Sequence, residues 1–194
     1  MCKLKFYYGT MGAGKTTEAL KTFEIYWRKG RNPLIIKPTN DDRDGKSSGW
    51  GVIKSKLIPD TRPCYYIDNV MDQLYKKPPQ NYGLIIVDEV QFFKPEDIVA
   101  LSQIVDYKKV DVICYGLKTD CKGQLFEASA QLLAIADETK ELDNLCDICG
   151  KESANMHLRY VNGELDYDPV SIKVEKDNIK YKSVCRKCFK KEMG

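Results

Sequence analysis

The rhythm of apolar and polar positions changes several times along the chain, and each change predicts an element. Residues 3–8 (KLKFYY) form an aromatic-rich run that ends at Gly9 and reads as a first strand. From residue 16 to about residue 29, Ala19, Leu20, Phe23 and Tyr26/Trp27 recur at helical spacing, with Gly30 placed as the C-cap. Residues 34–37 read as a second short strand, and residues 39–51, rich in Asp, Gly and Ser, read as a long loop. Residues 65–75 carry helical spacing through Ile67, Val70/Met71 and Leu74 until Pro78 and Pro79 stop it. Residues 84–87 (LIIV) are four apolar positions in a row, as a strand buried on both faces requires. A helix over 96–107, a strand over 110–115 and a helix over 125–136 continue the alternation, which predicts an α/β domain built on a mostly parallel sheet flanked by helices.

The pattern breaks near Leu142. Beyond it, residues 157–161 and 164–167 flank Asn162–Gly163, a strong hairpin signal. Two Cys-x-x-Cys pairs, Cys146/Cys149 and Cys185/Cys188, bracket this stretch. About fifty residues bury too little apolar surface to stand alone, so a metal staple makes physical sense. The expected division is a main domain over 1–141 and a small lobe over 142–194.

Composition narrows the class without naming it. Of 194 residues, 43% are hydrophobic and 30% charged, with Gly (13) and Pro (8) near background, which excludes disorder and collagen-like repeats. Lys plus Arg (31) against Asp plus Glu (28) leaves +3, too little to argue for a nucleic-acid or membrane partner by bulk electrostatics. With no apolar run near 18 residues and no signal-peptide pattern at the start, the expected location is the cytoplasm.

The sharpest chemistry lies at residues 9–16, GTMGAGKT, a full Gly-x-x-x-x-Gly-Lys-Thr match set between a predicted strand and a predicted helix. In such a P-loop, Gly9, Gly12 and Gly14 let backbone amides from Thr10, Met11 and Ala13 onward converge on phosphate oxygens at a helix N-terminus. Lys15 reaches the β- and γ-phosphates, and the Thr16 hydroxyl supplies a ligand to Mg²⁺. Asp88 and Glu89 follow LIIV at a strand end, where Asp88 is placed to hold Mg²⁺ and Glu89 to orient or deprotonate an acceptor hydroxyl or a water. The same two carboxylates also suit N-terminal charge before the helix near Pro95. Asp41 and Arg43 leave the second strand on the edge where open parallel sheets bind ligands, and read equally as a solvated loop pair. Gln91 with Phe92–Phe93 reads as a base-stacking platform or as core.

Four cysteines in two pairs complete a Cys₄ shell with no open position, which points to one structural zinc. Redox couples or disulfides are the competing reading, disfavoured by the basic setting of Arg186–Lys187. The tail over 180–191 is basic and carries Tyr181 and Phe189, but acidic residues balance the rest of the lobe, and no nucleic-acid partner is expected. His157, the single histidine, is expected as a solvated side chain at a hairpin edge.

Taken together, FYYGTMGAGKTTEAL, DDR at 41–43, IIVDEVQFF at 85–93, CYGLKTD at 114–120, the cysteine pairs and KYKSVCRKCFKK resemble the zinc-bearing, cellular and bacterial type of thymidine kinase. The resemblance implies a P-loop kinase domain over 1–141 and a zinc-binding, nucleoside-covering lobe over 142–194. It implies transfer of the γ-phosphate of ATP to the 5′-hydroxyl of thymidine in nucleoside salvage, supplying a DNA precursor. Glu89 would then be the general base, Arg43 would act at the phosphates and Asp41 would attend Mg²⁺. A lasso-like loop over 155–181 would cover the nucleoside, with Met11, Phe93, Met156 and Tyr181 at or near the pocket. Cys121 stands where the family commonly has an aromatic residue that packs on the base. Residues 174–181 lack the Gly-Gly pair that commonly precedes the tyrosine. Homotetramers or dimers are implied as well. The different-class alternative is a nucleotide-regulated NTPase in which water accepts the phosphate.

Overall fold

Four consecutive aliphatic residues cannot alternate between core and water, so the strand Leu84–Val87 has to be covered on both faces. In the computed structural model it is fully buried along its length and sits in the middle of a seven-stranded sheet. The structure describes residues 1–39, 49–55, 57, 59–78, 81–167 and 178–194.

In chain order the main sheet consists of β1 (Leu4–Tyr8), β2 (Pro33–Pro38), β3 (Gly49–Lys54), β4 (Thr61–Ile67), β5 (Leu84–Val87), β6 (Asp111–Gly116) and β7 (Glu138–Glu141). Their spatial order is β3-β4-β2-β5-β6-β1-β7, every pairing parallel except β3 with β4. Alternation along each strand sorts its side chains into two cores. Leu84 and Ile86 join Ile35, Tyr66, Ile113 and Tyr115 beneath the helix α1 (Lys15–Arg28), through Ala19, Leu20 and Phe23. Ile85 and Val87 join Leu4, Phe6, Leu34, Ile36 and Val112 on the other face, under α2 (Pro95–Gln103) and α3 (Glu127–Ile135). Each fully buried aliphatic contributes ~1.5–3 kcal/mol, so this three-layer stack is a rigid base for whatever its strand ends carry.

Two expectations need correction, and one strand gave no sequence signal. Residues 65–67 belong to strand β4 and not to a helix, which begins only at Val70 and continues as a π-helical turn, Met71–Lys76. The helical spacing arose because Ile67, Val70 and Leu74 enter the same core. The loop expected to run to Gly51 ends at the edge strand β3, and its residues 40–48 lie outside the described set. Strand β7, sequence ETKE, carries no apolar signal because it is an exposed edge. The helix expected over 96–107 is α2 followed by a second π-helical turn, Ile104–Lys108.

The C-terminal part forms a separate antiparallel sheet in the order β10-β8-β9, from β8 (Met156–Val161), β9 (Glu164–Leu165) and β10 (Ile179–Val184), followed by α4 (Arg186–Met193). The predicted hairpin is present: Asn162 and Gly163 both take positive φ, 53° and 90°, as a two-residue type I′ turn demands. Inside this sheet the Arg159 guanidinium is entirely buried, with Nε 2.7 Å from Asp166 Oδ2. A buried guanidinium deprived of a carboxylate partner is costly. Asp166→Ala is therefore expected to lower stability by ~3 kcal/mol at neutral pH. Urea titration checks it, and a loss below ~1 kcal/mol, the range of a surface pair, would contradict it.

Candidate active site

Strand β1 hands the chain to α1 through the glycine loop. Gly12 and Gly14 hold φ of 80° and 77°, values that only glycine adopts without cost, and this curls residues 10–14 around their own amides. The loop closes on itself through Ala13 N to Thr10 O at 3.2 Å, and α1 starts with Glu18 N donating to Gly14 O at 2.9 Å. Lys15 is buried, its Nζ donating to Gly9 O at 3.1 Å and Thr10 O at 2.8 Å. Its ammonium therefore lies along the loop's inner rim, among the groups that would meet a polyphosphate.

The acidic pair ends β5 at the same carboxyl edge of the sheet. Asp88 is 2% exposed, tied by its amide to Ile36 O at 3.0 Å, and its Oδ2 lies 3.2 Å from Thr16 Oγ1. A hydroxyl and a carboxylate this close form the kind of hard-oxygen donor set that suits Mg²⁺. Neither Asp88 nor Glu89 caps α2. That task falls to Asp97, whose carboxylate accepts from Lys94 N at 3.2 Å and from Val70 N at 2.8 Å. Glu89 takes a left-handed backbone, φ 55° and ψ 39°, a strained state for a non-glycine residue that needs surrounding support. Gln91 supplies part of it: Nε2 donates to Glu89 Oε2 at 2.6 Å while Oε1 accepts from Leu117 N at 3.0 Å. The fit leaves no slack, since a Cβ on Gly116 would come within 2.6 Å of Gln91 Oε1.

Beyond β6, Asp120 Oδ1 accepts from Lys122 N at 2.8 Å and Gln124 N at 2.9 Å, folding a tight turn that sets Cys121 inward at 5% exposure. Burial pushes the Cys121 thiol up from its ordinary pKa, so it is a neutral, apolar wall. Met156 reaches the same turn: a Cβ on Gly123 would lie 2.6 Å from Met156 Cε. Arg159 lies opposite Tyr181 in the β8–β10 pairing and also interacts electrostatically with Cys121. Phe93, by contrast, is packed into the core around β5 and α2. Asp41, Arg43 and residues 168–177 of the expected covering loop lie outside the described residues. Beside this wall, Thr119 Oγ1 is buried and has no hydrogen-bond partner among the described residues.

The four sulfurs of Cys146, Cys149, Cys185 and Cys188 lie within 4.8 Å of one another. A tetrahedral shell with Zn–S near ~2.3 Å puts its sulfurs ~3.8 Å apart, so the set fits zinc. Backbone amides shape each half, Cys149 N facing Cys146 Sγ and Cys188 N facing Cys185 Sγ, both at 3.5 Å. Burial pushes the Cys146 thiol up, but the amides around it prevail and bring it down to about 6; Cys188 is pushed up to about 12 by burial and the neighbouring thiols.

His157 departs from expectation. It lies on the middle strand of its sheet, 3% exposed, and its Nε2 accepts from Met11 N of the glycine loop at 3.0 Å. His157 and Thr119 are buried polar groups near the site that the sequence did not foretell; Gln91, read as platform or core, is a buried polar brace for Glu89.

Burial lowers the His157 pKa to about 4, and the Lys15 charge adds to the effect. Above the unfolded value of 6.5 the imidazole is neutral in both states and costs nothing. As pH falls from 6.5 towards 4 the unfolded chain takes up a proton that the folded chain refuses, so stability drops by up to ~3 kcal/mol. Denaturant titrations at pH 7 and pH 5 are expected to show a larger loss for the wild type than for His157→Gln. Equal losses would contradict a buried neutral imidazole.

Relatives place this geometry in a family. A family model described as thymidine kinase matches residues 2–189. The chain is 36% identical over 202 residues to the thymidine kinase of Vibrio cholerae serotype O1, covering 100% of both chains. It is 37% identical over 199 residues to that of Francisella tularensis subsp. holarctica, covering 98% of each. With that of Xanthomonas axonopodis pv. citri it shares 37% identity over 198 residues, all of this chain and 91% of the relative. A glycine loop, a strand-end acidic pair and a four-cysteine cluster, in one order along a chain matched almost end to end, lead to one conclusion: the chain belongs to the thymidine kinase family.

Proposed function

We propose that this chain carries out the reaction its family is named for, with ATP donating its γ-phosphate to the 5′-hydroxyl of thymidine. The observation that carries this reading is the meeting of Thr16 and Asp88 at 3.2 Å beside Glu89, at the carboxyl edge of a buried parallel sheet. Loop amides from Gly9, Thr10, Met11, Gly12, Ala13 and Gly14 cradle the phosphates, and Lys15 moves from the loop carbonyls to their oxygens. Thr16 and Asp88 would hold Mg²⁺, with Asp41 assigned to support it, and the ion would neutralise charge on the β- and γ-oxygens of ATP. Glu89, steadied by Gln91, accepts the proton of the 5′-hydroxyl, which leaves late in a loose phosphoryl transition state. Arg43 balances charge on the transferring oxygens.

Met11, Cys121, Met156 and Tyr181 form the nucleoside pocket, with Phe93 backing it from the core. Cys121 presents a thinner face to the base than an aromatic ring. Residues 1–141 act as the P-loop kinase domain and residues 142–194 as the lobe that closes over the nucleoside, one structural zinc per chain fixing its base. The four sulfurs serve a metal as thiolates, which suits a reducing cytoplasm. Exposed Trp27, Trp50 and Val52 offer a homo-oligomer, dimer or tetramer, apolar surface to bury.

Glu89→Gln is expected to bind ATP as the wild type does and to lose transfer by ~10³-fold or more, read by single-turnover assay with a parallel binding titration. Turnover within ~10-fold of wild type would remove Glu89 from the role of base. Metal analysis of the purified protein is expected to give one zinc per chain, and Cys185→Ser to lose it and to melt at lower temperature. Protein that carries no tightly held zinc would overturn the structural-metal assignment.

A further inference from the structure

Met11 is held from outside its own loop by an unusual number of side chains. Its N–H donates to His157 Nε2 at 3.0 Å, and its carbonyl accepts from Ser183 Oγ at 2.7 Å and from Asn144 Nδ2 at 3.0 Å. Asn144 Nδ2 also reaches Thr10 Oγ1 at 3.0 Å. All three side chains come from the C-terminal part of the chain, more than 130 residues away in sequence.

The arrangement has the regularity of a built clamp. His157 and Ser183 are directly opposite each other on β8 and β10, so the antiparallel register presents an acceptor and a donor side by side. They take the N–H and the C=O of one loop residue as a neighbouring strand would. His157 and Ser183 are 3% and 2% exposed, so water competes little for these bonds. The imidazole meets the Met11 N–H with an unprotonated nitrogen, and its low pKa keeps that nitrogen free of a proton.

The clamp is fastened in turn to the cysteine cluster. Ser183 N donates to Asp147 Oδ2 at 2.6 Å and Asp147 N donates to Ser183 O at 2.8 Å, and Asp147 lies within the Cys146–Cys149 turn. On the other side, Leu142 N donates to Tyr8 O at 2.7 Å, pinning the start of the lobe to the last residue of β1. Two short connections therefore run from the metal-binding turn to the phosphate loop, one through Ser183 and one through Asn144.

We propose that His157, with Ser183, is a positioning residue for ATP: it sets the path of the phosphate loop at Met11, so that the C-terminal lobe serves as the mount of the phosphate site as well as the cover of the nucleoside. This rests on the reading of residues 9–16 as the ATP phosphate loop. A loop whose third residue is fixed at both its N–H and its C=O arrives at the phosphates already shaped, and the ordering cost is met by folding instead of by nucleotide binding. Releasing the clamp returns that cost to the binding step. The effect falls on ATP because the held atoms belong to the phosphate loop's backbone.

Steady-state kinetics of the zinc-loaded full chain, with nucleotide binding, zinc content and melting temperature measured in parallel, test it. His157→Leu keeps bulk but cannot accept, and is expected to raise the KM for ATP about five- to ten-fold with the KM for thymidine within about two-fold. His157→Gln can accept from the Met11 amide and is expected to restore the ATP KM to within about two-fold of wild type. Ser183→Ala, a smaller change, is expected to raise the ATP KM about three-fold with zinc retained, and decides the matter should the leucine variant not fold. A folded leucine variant with wild-type ATP KM, equal losses in the leucine and glutamine variants, or an unaffected Ser183→Ala would overturn the clamp. Lys15→Ala separates the two levels: ATP binding unchanged in that variant would remove the phosphate-loop assignment itself, whereas its loss alongside an unaffected His157→Leu removes only the clamp.

Discussion

Everything chemical in this protein hangs from the carboxyl edge of strands that water does not reach. The strands β2 and β5 are neighbours buried along their whole length, with β6 next to β5 and β1 next to β6. Helices cover both faces, so the strand ends cannot shift without opening close-packed aliphatic cores. Phosphoryl transfer asks little covalent chemistry of an enzyme and much positioning, with oxygens, a metal and an acceptor hydroxyl held in line. A stiff parallel sheet that ends β1 in a glycine loop and β5 in Asp88–Glu89 supplies that alignment from two strand ends with only β6 between them. The strain stored in the left-handed Glu89 backbone is tolerable because the base beneath it does not move.

The second sheet is too small to be stable by burial alone, and two kinds of fastening compensate. Four sulfurs gathered within 4.8 Å bring its ends together in a donor set that suits a metal ion. Buried polar contacts from His157 and Ser183 fix it to the glycine loop at Met11. Buried polar bonds are specific because leaving either partner unsatisfied is costly, so they define one seating of the lobe where apolar contact would permit several. The glycine loop and the Cys121 turn are thereby both tied to this small sheet.

How much of this could be read from the sequence depended on whether a feature is local. LIIV announced a central strand because no polar residue interrupts it, and the glycine loop announced itself because phosphate binding demands fixed spacing. The Asn162–Gly163 hairpin was equally plain, since its turn needs two positive φ values. Strand β7 was invisible because an edge strand carries charge in place of pattern, and the last three residues of β4 were read as helix because Ile67, Val70 and Leu74 share one core at helical spacing. His157 was misjudged for a different reason. Its partner Met11 lies 146 residues away, and a single long-range hydrogen bond leaves no periodicity to detect. Gln91 likewise acts through a contact with Leu117 that only the parallel pairing of β5 with β6 creates.

The central claim is that this sheet edge passes a phosphoryl group from ATP to a nucleoside hydroxyl and not to water. Turnover of ATP measured with each common deoxynucleoside in turn, the product identified by mass, tests it most directly. The account predicts turnover that depends on thymidine and yields its 5′-monophosphate. Hydrolysis of ATP at a rate indifferent to every nucleoside, with no phosphorylated nucleoside formed, would contradict it.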